Sequence, residues 1–448
     1  MGHKSLLFWK LLAFLLVFAT AGYLRFESAL QTQVISPLRA DALQYFSYAW
    51  NLKYNRVYSL QTPNLKNMDS TDAAIIPDAV RTPGYPLFLS IFLKRQPDIQ
   101  MILTIILVQA LISTATVGLV FLIGICFLPF PWALTAMILT AISPHLIVAN
   151  SYILTETLFC FFLLVFLFGF VWMEKNKSFL ASLISGAILG ITTLVRPSME
   201  FFLIVAILAL IIRSGWKNAS RLAVGLTLGF ALTFGPWVIR NINLPASNGK
   251  NRLMINFLHH GMYPGFKYRG ENKTYGFPYR FDPRSKEISS SLKSVLVEIA
   301  KRFREDTVRH MKWYFLGKPR TLWSWSIIQG QGGPFVYPVS KSPFLENNSF
   351  YHYSLLLMFY LHWVLVAIAG TGVIKVAIDF ALRQPPDNHY SWVIWVVLIL
   401  IYFTSIHMIG APFPRYAVPL KPLVYLMAVF VISKFFQKVR ASSTKIEV

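Results

Sequence analysis

Apolar runs close to 20 residues long recur along this chain, and a helix of that length matches the ~30 Å hydrocarbon core of a bilayer. Inside lipid every backbone N–H and C=O needs a partner within the protein, so such runs fold as helices. Ten are counted, near 6–23, 101–128, 132–150, 155–173, 179–195, 199–213, 221–239, 351–380, 391–410 and 416–433. The expected fold class is an all-α polytopic membrane protein with about ten transmembrane helices. Composition excludes an ordinary soluble globule, because 55% of the 448 residues are apolar and 14% are charged.

The runs divide the chain into a first helix (1–24), a polar segment (25–100), a block of helices (101–239), a second polar segment (240–350), three further helices (351–433) and a basic tail (434–448). The first run follows "MGHK" and contains "ATA" at Ala19–Ala21, a pattern that fits both a signal-peptidase site and an uncleaved signal anchor. "EKNK" (Glu174–Lys177), "RSGWKNASR" (Arg213–Arg221) and the tail are basic and share one side in a ten-span count. The positive-inside rule puts that side in the cytoplasm. Both long polar segments are then expected outside.

The +23 formal charge is spread over connections between runs, so it does not read as a nucleic-acid surface. Cys126 and Cys160 sit in apolar runs without a CxxC partner, which argues against a disulfide framework, a thiol metal site or a catalytic thiol. Segment 240–350 carries 18 Lys or Arg against 7 Asp or Glu. This excess has two readings: a loop lying on anionic headgroups, or an electrostatic funnel for an anionic substrate. Within it, "SLKSVLVEIAKRFREDTVRHMKWYFLG" (Ser291–Gly317) reads as an amphipathic interfacial helix. "RTPGYPLFLSIFLKR" (Arg81–Arg95) is too short to span and reads as a second interfacial helix.

In this topology the polar oddities gather at one border of the membrane. Asp41 lies just beyond the first run, Arg81 in "RTPGYP" and Glu156 in "SYILTETLF". Arg196 stands in "LVRPSME", Arg240 in "GPWVIRN" and Arg415 in "APFPRYAVPLKP". Each has a bland reading: arginines snorkel to headgroups, Asp41 caps the helix after it, and Glu156 complements a helix dipole. Their convergence suggests chemistry instead. A carboxylate in a partly desolvated cleft takes the proton from an attacking hydroxyl, and guanidiniums bind a phosphate and stabilise it as it leaves. Together they suit transfer of a group from a lipid phosphate to a hydroxyl.

"RADALQYFSYA", "RTPGYP", "SPHLIVANSYILTETLF", "LVRP", "GPWVIRN" and "RYAVPLKPL", in that order, resemble the C-type (GT-C) integral-membrane glycosyltransferases. The nearest group in this resemblance is the dolichyl-phosphate-mannose protein mannosyltransferase and aminoarabinose transferase superfamily. It implies an uncleaved first helix, a polyprenyl-phosphate-linked sugar donor, a hydroxyl-bearing glycan, lipid or protein acceptor, and transfer with inversion at an outward-facing site. It also implies Asp41 as general base, Glu156 orienting the acceptor or a sugar hydroxyl, and Arg81 and Arg240 gripping the donor phosphate. Arg196 and Arg415 match arginines near the site, and Tyr45 and Tyr85 fall where aromatics line it. No cofactor and no metal are implied.

The chain also departs from the pattern. Ala42 follows Asp41 where many relatives carry a second acid, which weakens any inference of protein mannosylation. No large soluble domain follows the last run, so a compact member in a bacterial inner membrane is expected. An O-antigen ligase or polymerase, or a lipid-linked-sugar flippase, are the alternatives. A flippase predicts charge through the bilayer midplane and internal repeats, and neither is evident in the sequence.

Overall fold

The computed structural model describes residues 3–62, 75–245, 249, 251–382 and 390–446. The first half holds α1 (His3–Gln31), α2 (Ala40–Trp50), α3 (Gly84–Phe92), α4 (Ile99–Gly124), α5 (Phe130–Ala141), α6 (Pro144–Val148), α7 (Glu156–Asn176), α8 (Phe179–Val195) and α9 (Phe202–Ile242). The second holds α10 (Arg252–Gly261), α11 (Ser285–Ile288), α12 (Leu292–Glu305), α13 (Thr307–Lys312), α14 (Lys318–Leu322), α15 (Phe350–Ala381), α16 (Tyr390–Ile409) and α17 (Lys421–Ile446). Two short strands, β1 (Gln33–Val34) and β2 (Val339–Lys341), pair antiparallel. The chain is an all-α integral membrane protein.

Among the described residues, seven helices are long and apolar enough to cross a membrane, or eight if the bent pair α5–α6 counts as one span. The sequence count of about ten treats two further stretches as spans. One is α8, whose 17 residues rise only ~26 Å. The other is the pair of runs near 199–213 and 221–239, which form two helices within α9 separated by a break at Gly215 (φ 72°, ψ 158°); its 41 residues rise ~62 Å, about twice what one span needs. The short stretch after "RTPGYP" forms α3, nine residues long and too short to span, as expected.

Close backbone approach explains why α8 and α9 pair. Ser182, Gly186 and Gly190 on α8 face Gly225, Gly229 and Thr233 on α9, each set spaced by four. A Cβ on Gly186 or Gly229 would overlap the backbone of Leu226 or Leu183. Small residues at this period let two membrane helices touch where apolar area alone gives no drive in lipid.

Proline sets the bend between α5 and α6, which is 51°. Pro144 has no N–H, so the carbonyl of Thr140 has no helical donor. Arg25, fully buried at the end of α1, fills the gap. It donates to Thr140 O at 3.0 Å, Ala141 O at 2.9 Å and Ser113 Oγ at 2.8 Å. At the far end of the bundle, Glu174 accepts from Arg213 Nε (2.8 Å), Trp395 Nε1 (2.7 Å) and Ser391, tying α7, α9 and α16 together.

The polar segments collect at the end where α1 finishes and α7 begins. The expected single helix over Ser291–Gly317 is broken at Asp306 (φ −147°, ψ 77°), whose carboxylate caps α13 by accepting from Arg309 N at 3.0 Å. Trp313–Gly317 then widens into a π-helical turn before α14.

Candidate active site

Asp41 reaches its position through two local devices. Strand β1 pins the chain leaving α1 against β2, and Arg39, in extended backbone, starts α2 one residue before Ala40. Asp41 therefore sits in the first turn of α2, where the helix dipole favours a negative charge. It does not cap the helix by a side-chain bond. Its two oxygens face guanidiniums instead.

Arg81 Nη2 meets Asp41 Oδ1 at 2.6 Å, and Arg415 Nη1 meets Asp41 Oδ2 at 2.9 Å. Arg415 turns its other edge to Glu156, with Nε to Oε1 at 2.7 Å and Nη2 to Oε2 at 3.4 Å. Arg196 Nη1 closes the row 3.6 Å from Glu156 Oε1. The order is Arg81–Asp41–Arg415–Glu156–Arg196, with sign alternating at every step. Three guanidiniums against two carboxylates leave one net positive charge. The side chains of Arg81 and Asp41 are 19% and 33% exposed, against 9% for Arg415 and 3% for Glu156. The open end is thus at Asp41 and Arg81.

Burial alone would raise the Asp41 pKa, but the charges of Arg81 and Arg415 outweigh it and hold the carboxyl to about 2. Burial alone would lower that of Arg81, yet Tyr45 and Asp41 keep it above its ordinary value. Aromatic rings shape the same wall. The Arg81 guanidinium lies 5.3 Å from the Tyr45 ring, which meets Tyr85 edge-on at 5.1 Å. Tyr85 donates to Gln109 Oε1 at 2.7 Å, and Gln109 Nε2 donates to the carbonyls of Asn150 and Tyr152, which holds the connection into α7 and so Glu156. Arg196 stacks over Tyr416 at 4.6 Å.

Arg240 does not join the row. It donates to the carbonyls of Asp78 (2.9 Å) and Tyr58 (3.1 Å) and lies over the rings of Tyr58 and Trp237. Tyr58 in turn donates to the carbonyl of Arg81 at 3.0 Å. Arg240 thus braces the segment that presents Arg81, from behind. Two residues that sequence reasoning missed help here. Gln44 accepts from Arg81 Nε at 2.9 Å, and its spacing of three from Asp41 on a helix was a usable signal. Tyr416 adjoins Arg415 in sequence.

Two cavities of about 10 Å³ flank Glu156, each with room for about one water. One reaches Arg25, Ser113 and Thr140; the other runs between His145, Ile327 and Arg415. Among the described residues no group of three or more His, Cys, Asp or Glu side chains is placed to hold a metal ion.

No family model matches the sequence, and no curated protein matches it either. Solved structures do. The oligosaccharyltransferase of Archaeoglobus fulgidus in its apo form superposes with a TM-score of 0.50 at 14% identity, over 98% of this chain and 52% of that one. The same archaeal enzyme, AglB, in complex with an inhibitory peptide and a dolichol-phosphate gives 0.51 at 14% identity, with the same coverage. ArnT from Cupriavidus metallidurans bound to undecaprenyl phosphate is a more distant likeness, with a TM-score of 0.37 at 12% identity over 97% of this chain and 79% of that one. This chain spans about half the length of the archaeal enzyme. It has the fold of the GT-C integral-membrane glycosyltransferases.

Proposed function

We propose that this protein transfers a sugar from a polyprenyl-phosphate carrier to an acceptor hydroxyl, at the outer face of a bacterial inner membrane and with inversion. The observation that carries the reading is the row of three guanidiniums interleaved with two carboxylates, open at Asp41 and Arg81 and net positive. The GT-C fold supports it, as does the dolichol-phosphate held by the archaeal neighbour.

The unliganded row holds Asp41 as a poor base, with its proton affinity suppressed by two guanidiniums. A donor phosphate competes for the same N–H groups of Arg81 and Arg415, since arginine binds phosphate in bidentate fashion. Two changes follow at Asp41. It loses charge-assisted hydrogen bonds, and it gains an anion nearby, so its pKa rises toward that of a free carboxylate. Donor binding therefore switches the base on. The acceptor oxygen then attacks the anomeric carbon from the face opposite the phosphate, and its proton passes to Asp41. The bond from carbon to phosphate oxygen breaks, and the carrier phosphate leaves with the electron pair against Arg81 and Arg415.

Glu156 has both oxygens bonded to Arg415, so its part in this scheme is to hold Arg415, not to touch the acceptor. Arg196 neutralises Glu156 from the other side. Arg240 acts through the Arg81 segment as a positioning residue, and Tyr45 and Tyr85 line the crevice.

The test is binding. Purified full-length protein in nanodiscs is titrated with radiolabelled undecaprenyl phosphate and, separately, undecaprenol. Phosphate-dependent binding is expected, weakened roughly ten- to a hundred-fold in Arg81→Gln by loss of charge-assisted hydrogen bonds. Equal binding of the two lipids, or an unaffected Arg81→Gln, contradicts the reading.

A further inference from the structure

Four apolar side chains stand out of the segment that follows α12. Val308, Met311, Phe315 and Leu316 are between 45% and 69% exposed. Val308, Met311 and Phe315 follow one another at spacings of three and four, which keeps them on one side of the segment, and Leu316 stands next to Phe315 in the π-helical turn. Around them Arg304, Arg309 and Lys312 are exposed. Among the described residues no acid lies within ion-pair distance of these three side chains, whereas nearby Glu305 pairs with Lys301 at 3.8 Å.

The opposite face fixes the orientation. His310 and Trp313 are buried, and Trp313 Nε1 donates to the carbonyl of Gly261 at 2.9 Å. The height is fixed as well. Lys318 Nζ donates to the carbonyl of Ile409, the last residue of α16, at 3.0 Å, and Trp323 Nε1 reaches Thr404 Oγ1 at 3.3 Å. The exposed stripe therefore sits beside the end of a membrane-spanning helix, on the side that carries the Asp41 row. An amphipathic helix at that depth, with cations flanking its apolar face, matches an anionic lipid interface.

We propose that Val308, Met311, Phe315 and Leu316 insert into the leaflet on the site side, with Arg304, Arg309 and Lys312 holding its anionic headgroups. For this stretch the proposal takes the first of the two sequence readings of the basic excess. An aqueous funnel has no use for four exposed apolar groups among its cations, whereas a lipid surface takes both. The docking has a consequence for the site. Trp313 packs on Phe266, which stacks on Phe413 at 4.6 Å, two residues before Arg415. The lipid-bound face and the guanidinium at the centre of the row thus belong to one rigid cluster, so the headgroup layer sets the height of Arg415. The inference stands whether or not the protein transfers sugars.

The test uses full-length protein carrying a photoreactive p-benzoylphenylalanine in place of Phe315, in nanodiscs of phosphatidylcholine mixed with radiolabelled phosphatidylglycerol. The same label at Val308 repeats the reading should the first disturb the fold, and one at exposed Lys286 serves as the control. Positions 315 and 308 are expected to capture lipid, position 286 not. Phosphatidylglycerol should be captured several-fold above its share, since a basic residue near the surface is worth roughly five-fold in local enrichment. The enrichment should vanish in Arg309→Glu/Lys312→Glu. Capture of no lipid at 308 and 315, or only of another protein, overturns the proposal. So does capture of phosphatidylglycerol merely in proportion to its share.

Discussion

Arg415 is the hinge of the row, and replacing it by Met isolates what the pairing is worth. The guanidinium makes three hydrogen bonds, two to Glu156 and one to Asp41. Without it, buried Glu156 is left with Arg196 at 3.6 Å, beyond hydrogen-bond reach. Removing one partner of a buried ion pair costs about 3–5 kcal/mol, because the other charge stays buried. Glu156→Gln is milder, about 1.5–3 kcal/mol, since Arg415 keeps its bond to Asp41. The double variant removes the stranded charge, so its loss should fall short of the sum by roughly 0.5–3 kcal/mol. The assay is unfolding in mixed micelles. A chain with this many helices need not unfold in one step, so the informative quantity is the order of the four denaturant midpoints. The expected order is wild type, Glu156→Gln, then the double variant close to or above Arg415→Met. An Arg415→Met protein that unfolds with wild type, or a double variant that loses the full sum, refutes the reasoning.

Further outcomes follow from the same structure. Gly229→Val drives side-chain atoms into the backbone of Leu183 and should destabilise the protein by more than the ~1–3 kcal/mol typical of overpacking; thermal unfolding in detergent checks it. His259 and His260 in α10 are pushed down by burial to about 4 and about 3, while an unfolded histidine titrates near 6.5. The stability they contribute is therefore complete above pH 6.5 and lost as pH falls toward 4 and then 3, so the hydrogen-exchange protection factors of α10, taken relative to the intrinsic rate at each pH, should fall across that window and hold steady above it. Asp41, held to about 2 from an ordinary 3.8, supports the folded row above pH 4 and stops doing so between pH 4 and 2. Arg240→Gln should raise protease sensitivity of the segment before Arg81 and weaken undecaprenyl phosphate binding less than Arg81→Gln does, because Arg240 acts only through that segment.

Much of this site was legible in the sequence. Glu156, Arg196 and Arg415 each sit at the end of an apolar run or in a short polar connection, where a charge is anomalous, and Asp41 heads the amphipathic stretch that follows the first run. Runs that alternate in direction bring alternate ends together, so the convergence followed from counting. Arg240 gave the same signal as Arg81, yet its guanidinium faces carbonyls and rings, and the type of residue does not say which acceptor it will meet. The basic stretch Arg213–Arg221 reads as a connection between two runs, and the chain does break there, at Gly215, with helix on either side. Arg25 was invisible because its role depends on an N–H that Pro144 lacks, far away in the chain. The amphipathic pattern of Ser291–Gly317 was read correctly as helical but not its break, since Asp306 serves equally well inside a surface helix or as the cap of a new one.

The central role proposed here is that of Asp41 as the base of a transfer from a lipid phosphate. The most direct measurement incubates purified protein with a panel of radiolabelled polyprenyl-phosphate sugars and candidate acceptors, comparing wild type with Asp41→Asn. With Asp41 as base, transfer by wild type should fall at least a hundredfold in Asp41→Asn, within the range general base catalysis contributes, while binding of undecaprenyl phosphate is retained. Transfer by Asp41→Asn at the wild-type rate would contradict that role.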